Sequence, residues 1–177
     1  MYSLLPFWRR NKRAIQFGLS FLALTGLFYL AYYGLRSHTD LSFLKAATAA
    51  PVWLILRGFF QNAALENDIV TVDAFRLRII YECTGVFLMI IFSASVLAYP
   101  ARWQAKATGL AVGIPIIYVT NVVRLVVLVL VGRSFRPYLE TFHVYFWYGT
   151  FSLIIVFTWV LWVEIVVDRG EKRTLSR

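Results

Sequence analysis

Cysteine is almost absent: Cys83 is the single thiol in 177 residues. An intrachain disulfide and a CxxC redox pair are therefore excluded. Histidine is nearly as scarce, with only His38 and His143. So few ligating side chains make a structural zinc site a poor fit, and neither a metal nor a cofactor is expected. No GxxxxGK[ST] or GxGxxG phosphate loop occurs, and there is no internal repeat or low-complexity tract. Charge is sparse too, at 15% of residues, with nine acidic side chains against 18 basic ones.

What fills the chain is apolar: 60% of residues are hydrophobic and 18% aromatic. Few soluble domains are that greasy, so the composition points to a membrane protein. A helix that crosses a bilayer needs about 20 mostly apolar residues. Four stretches meet or approach this: Ala14–Tyr33, Gly85–Trp103, Ala107–Val131 and Val144–Val167. The first is long for a signal peptide and lacks a small-residue cleavage site, so it reads as a retained span. The expected fold is a single integral-membrane domain over residues 1–177, an all-α bundle of about four transmembrane helices.

The net charge of +9 would suit nucleic acid if it were clustered on one surface, but it is not. Arg9, Arg10, Lys12 and Arg13 precede the first span; Arg102 and Lys106 lie between the second and third; Arg169, Lys172, Arg173 and Arg177 follow the fourth. Short loops rich in Lys and Arg stay cytoplasmic. Those segments carry an excess of seven positive charges, against one on the other side. Both termini are thus expected inside a cell membrane, with residues 1–13 and 168–177 cytoplasmic and 34–82 outside. The expected partner is the lipid bilayer, not nucleic acid.

Within the outer segment, APVWLILRGFF (50–60) is apolar but broken by Pro51, Arg57 and Gly58, which fits an interfacial or re-entrant helix. NDIVTVDAFRLRIIYEC (67–83) reads as a β-hairpin, with Asp73-Ala74 as the turn. Its second strand leads to Cys83-Thr84-Gly85, a strand-to-helix junction in which Thr84 is positioned to cap the next span.

Three polar groups stand out on this outer side. A cysteine at a helix N-terminus gains from the helix dipole, which favours thiolate, although a lone Cys is commonly an inert core residue. Arg124 lies inside a span in Asn121-Val122-Val123-Arg124; intramembrane charge is costly and usually functional, while a snorkelling anchor is the competing reading. His143 opens the last span beside Tyr145, Trp147 and Tyr148, where an aromatic-belt role competes. Depth links them. Counted at 1.5 Å per residue from the cytoplasmic ends, Cys83, Arg124 and His143 rise roughly 25, 22 and 28 Å. A thiol, a guanidinium and an imidazole at one level form a nucleophilic site. Cys83 would attack a carbonyl, His143 would carry protons, and Arg124 would stabilise the thiolate or an oxyanion. Asn121 would orient Arg124, and Glu82 or Glu140 would orient His143.

The Cys83-Thr84-Gly85 junction, the Asn121-x-x-Arg124 helix and a later His143 resemble the exosortase/archaeosortase family of integral-membrane cysteine transpeptidases. The resemblance runs from about residue 58 to 167, and the chain looks like a short core form. It implies C-terminal protein sorting. Substrates would be secreted proteins ending in a short motif, a membrane helix and a basic cluster. Cleavage would leave a thioester on Cys83, and an amine-bearing lipid or polysaccharide would accept the product. The residues alone also fit another membrane thiol acyltransferase, or a non-enzymatic membrane subunit.

Overall fold

The computed structural model describes residues 11–135 and 147–168. Three of its helices are long and apolar enough to cross a membrane: Lys12–His38, Trp103–Ser134 and the stretch Gly149–Val167. In chain order, α1 (Lys12–His38) is followed by α2 (Ser42–Phe59), three short strands, a 3-10 turn (Tyr81–Thr84), α3 (Val86–Ala98), α4 (Trp103–Ser134) and α5 (Trp147–Trp162), with a π turn at Val163–Asp168. The last expected span, Val144–Val167, thus lies on α5 and the π turn from Trp147 onward; its first residues are outside the described set.

The second expected span is shorter than the apolar run suggests. Helix α3 has 13 residues and rises about 20 Å, less than a hydrocarbon core of about 30 Å. Pro100 explains the early stop. The residue before a proline is pushed out of the helical region, and Tyr99 is extended at φ −68° and ψ 136°. Lys106 Nζ donates to the Leu97 carbonyl at 2.6 Å, satisfying one of the carbonyls left over at that end.

Helix α2 is longer than the apolar run 50–60 and carries Pro51 in its interior. Proline has no N–H, so the carbonyl of Ala47, four residues earlier, loses its helical donor. Tyr118 of α4 replaces it, its hydroxyl donating to Ala47 O at 2.6 Å. The proline position is thereby tied to α4. The buried face of α2, Thr48, Ala49, Val52 and Leu56, turns to the sheet and α4 rather than outward.

The expected hairpin is present as β2 (Ile69–Val72) and β3 (Phe75–Arg78), paired antiparallel with Val72 opposite Phe75. A strand not foreseen, β1 (Ala64–Glu66), adds to β2 to make a three-stranded antiparallel sheet. Asn67 and Asp73 take left-handed backbone at φ 54° and 52°, which short polar side chains tolerate in tight turns. Val70 and Val72 point inward while Ile69 and Thr71 remain half-buried. The sheet tip is tied down by Asp73, which accepts from Asn62 and Arg133. The Asn62 amide first, then the Arg133 side chain, hold the Asp73 carboxyl below the usual carboxylate range. Lys45 and Asp68 pair at 2.9 Å on the opposite side.

Two cores result, both built on α4. Its second half (Val122, Leu125, Leu128, Val129) packs with α2, the sheet and Cys83. Its first half meets α3 and α5 through Ile117, Phe92 and Trp162. Gly109 and Gly113 make this second contact close, as small residues do where membrane helices meet. A Cβ on Gly113 would lie 2.2 Å from the Phe92 ring. Gly113→Ala is therefore expected to lower stability by about 1–3 kcal/mol through overpacking. Gly18→Ala on α1, where nothing lies within 4 Å, is the control expected to be neutral. Thermal unfolding in detergent micelles distinguishes them, and equal midpoints would refute the close packing.

Candidate functional site

Cys83 sits in the 3-10 turn that links the sheet to α3, with its backbone N–H donating to Ile80 O at 2.9 Å. Its exposure is 7%, and it belongs to the core cluster of α2 and α4. Thr84 does not cap α3. Its hydroxyl donates back to Tyr81 O at 2.6 Å and closes the 3-10 turn. The cap position is Gly85, at φ 75° and ψ 2°, with no side chain bonded to the first turn of α3. Glycine adopts this left-handed backbone without steric cost.

Asn121 of α4 meets this junction from behind. Its Nδ2 donates to the Cys83 carbonyl at 2.8 Å, and the residue has no solvent exposure. A carbonyl only accepts, so the amide nitrogen must face it. The other amide atom, Oδ1, is buried with no hydrogen-bond partner among the described residues. An unsatisfied buried acceptor costs about 1–3 kcal/mol. The same side chain abuts Gly85, whose added Cβ would lie 3.1 Å from Asn121 Cγ.

Arg124, one turn further along α4, is half-buried, and its Cζ lies 5.4 Å from the centre of the Phe151 ring of α5. It lines a cavity of about 550 Å³ together with Cys83, Gly85 and Phe151. Cys83, Gly85 and Arg124, assigned from the sequence, thus share one cavity, while Asn121 and Thr84 stand outside its wall. His143 and Glu140 fall outside the described residues.

Sequence reasoning missed the opposite wall. Tyr29, Tyr32, Tyr33 and Arg36 of α1 line the same cavity. Their spacing of i, i+3, i+4 and i+7 puts them on one helical face, which was the available signal. The Arg36 guanidinium lies 4.1 Å from the Tyr81 ring centre, and its Nη1 is 3.5 Å from Glu82 Oε1. Glu82 is therefore engaged by α1. Aromatic faces, two guanidinium groups and one carboxylate line the cavity that Cys83 also lines. Among the described residues, no group of His, Cys, Asp and Glu could hold a metal ion.

The family model of transmembrane exosortases matches residues 3–161. The chain belongs to that family. The match takes in residues 3–57, where no family motif is legible, so α1 with its cavity-lining tyrosines and most of α2 are part of the family's common region. Membership and the three long apolar helices make this exosortase-family chain a membrane protein. Neither the curated proteins nor the solved structures include a match to it.

Gly85 provides a test of the junction. Gly85→Ala must hold a Cβ in left-handed backbone, at a cost of about 1–2 kcal/mol, and also press on Asn121. The variant is expected to melt measurably earlier in micelles than the parent chain. An unchanged midpoint would mean that the junction adopts another backbone.

Proposed function

We propose that the chain is a membrane-embedded cysteine transpeptidase that cleaves C-terminal sorting signals of secreted proteins. The observation that carries this reading is that Cys83 and Arg124, 41 positions apart and on different elements, line one cavity. Family membership supports the sorting role.

In this reading the Cys83 thiolate attacks the carbonyl carbon of the scissile amide. As the Sγ–C bond forms, negative charge builds on the carbonyl oxygen, and Arg124 stabilises it through directed N–H groups. The C–N bond then breaks. The departing amine takes a proton from His143, whose imidazole suits proton transfer near neutral pH. The product is a thioester on Cys83. An acceptor amine, on a lipid or polysaccharide, gives its proton to His143 and attacks the thioester. The new C–N bond forms and Cys83 leaves as thiolate. The charge distribution supports an orientation with both termini cytoplasmic and residues 34–82 and 132–143 outside. A substrate helix with a basic tail would share that orientation and bring its motif to the level of Cys83.

Processing of a host protein that ends in a short motif, an apolar helix and a basic cluster tests the assignment. Cys83→Ala is expected to abolish its cleavage while the variant still accumulates in the membrane. Arg124→Lys keeps the charge but loses the planar fork of donors. It is expected to accumulate normally and to lose about 10²–10³ in rate, the usual effect of removing an oxyanion donor. Arg78→Lys on β3, outside the cavity lining, is the control and should process at the parent rate. Parent-rate cleavage by Arg124→Lys would reduce Arg124 to an anchor, and by Cys83→Ala would end the thiol mechanism.

A further inference from the structure

The N-x-x-R spacing assigns Asn121 to Arg124, but the geometry assigns it to Cys83. We propose that Asn121 is the positioning residue of the site: it fixes the register between the Cys83 backbone and the Arg124 guanidinium without touching the substrate. This rests on the reading of Cys83 and Arg124 given above and deepens it.

Four observations converge. The Asn121 side chain is fully buried and lies behind the cavity wall, so it does not meet an occupant. Its amide holds the carbonyl of Cys83, which fixes the peptide plane following the thiol-bearing residue. Its Cγ and Cβ form the seat against which Gly85 rests: a Cβ there would come within 3.1 Å of Asn121 Cγ and sit on strained left-handed backbone at φ 75°. Among the described residues its Oδ1 has no hydrogen-bond partner, so the amide is kept despite an acceptor they leave unsatisfied. A leucine of similar volume would pack in that place without that cost. What the amide supplies and an apolar residue cannot is the directed donor to Cys83 O.

The consequence follows from helix geometry. Asn121 and Arg124 are three residues apart on one α-helix, so their spacing is rigid, with a rise of about 4.5 Å. Pinning the Cys83 carbonyl to Asn121 therefore pins the thiol-bearing residue to the same rigid body that presents Arg124. The turn at 81–84 is also held by the Ile80 and Tyr81 carbonyl bonds within its own segment and by Arg36 of α1, which meets Tyr81 and Glu82. Among the described residues, Asn121 supplies the side-chain hydrogen bond that connects it across to α4.

The single thiol makes the test site-specific, because every alkylated molecule is alkylated at Cys83. Full-length protein in micelles is reacted with iodoacetate and, separately, with iodoacetamide. The ratio of the two rates reads the positive charge beside the thiol. Relative to a free cysteine peptide, the parent chain is expected to favour the anionic reagent by about tenfold. Arg124→Gln should remove that preference. Asn121→Ala and Asn121→Leu should each reduce it to within about twofold of Arg124→Gln, and the leucine variant keeps the core filled. Leu128→Ala removes apolar volume from the core that also contains Cys83, and should keep the parent ratio despite lower stability. A purely structural Asn121 would behave like Leu128. The proposal is overturned if Asn121→Leu keeps the parent ratio while Arg124→Gln loses it, a result that leaves the role of Arg124 standing. If Arg124→Gln itself matches the parent, Arg124 is not beside the thiol, and both the reading and the register fall.

Discussion

The contact on which the site depends is the hydrogen bond from Asn121 Nδ2 to the Cys83 carbonyl, 2.8 Å long and sealed from solvent. It joins the end of the sheet-and-turn segment to the longest helix at the point where that helix passes from one core to the other. Below it in sequence, α4 packs on α3 and α5 around Phe92 and Trp162. Above it, α4 packs on α2 and the sheet around Leu56, Val72 and Leu125. A polar group buried at such a boundary is stable only because apolar contacts on both sides hold the backbone in place. The place of Cys83 on the cavity wall is thus set by elements distant in sequence.

Helix α4 has a second polar tie, from Tyr118 to the carbonyl freed by Pro51. Both ties satisfy backbone acceptors that regular secondary structure leaves open: one below a proline, one in a 3-10 turn. Burial raises the cost of leaving an acceptor unmade, so the buried tie to Cys83 fixes its element more firmly than its net strength suggests, whereas the tie to Ala47 is exposed. Helix α1 differs. None of its residues is buried, and it leans mainly on α3. Yet it supplies four cavity residues, Tyr29, Tyr32, Tyr33 and Arg36. One wall of the cavity is therefore carried by a helix with no buried residue, and the rest by residues 80–83, Gly85, α3, Arg124 of α4 and Phe151 of α5.

Much of this was legible from residue patterns. The apolar runs marked four spans, three of which are long helices, and the residues around Asp73-Ala74 marked the hairpin, although its second strand ends at Arg78 rather than running on to Cys83. Cys83, Gly85 and Arg124 were singled out by chemistry, and they meet at one cavity. Other features depended on information that a linear pattern does not carry. Strand β1 is three residues long, too short for an alternation signal, and its turn residue Asn67 sits beside ordinary acids. The end of α3 was overrun because hydropathy ignores the backbone restriction set by Pro100. Thr84 was given a cap role that its hydroxyl instead fulfils inside the 3-10 turn. Arg36 and the tyrosines of α1 carried no site reading in the sequence, and tertiary packing brings them to the cavity that Cys83 lines. His143 lies outside the described residues, and its role rests on the family pattern and its chemistry alone.

The central claim is that Cys83 carries a peptide acyl group through a thioester, and intact mass of the protein tests it most directly. The full-length chain would be purified rapidly after co-expression with a substrate that ends in a motif, an apolar helix and a basic cluster. The account predicts an adduct on Cys83 with the mass of the substrate's N-terminal fragment, released by hydroxylamine and absent from Cys83→Ala. Continued processing with no such adduct under acceptor-depleted conditions, or an adduct with the mass of a lipid acyl chain, would contradict it.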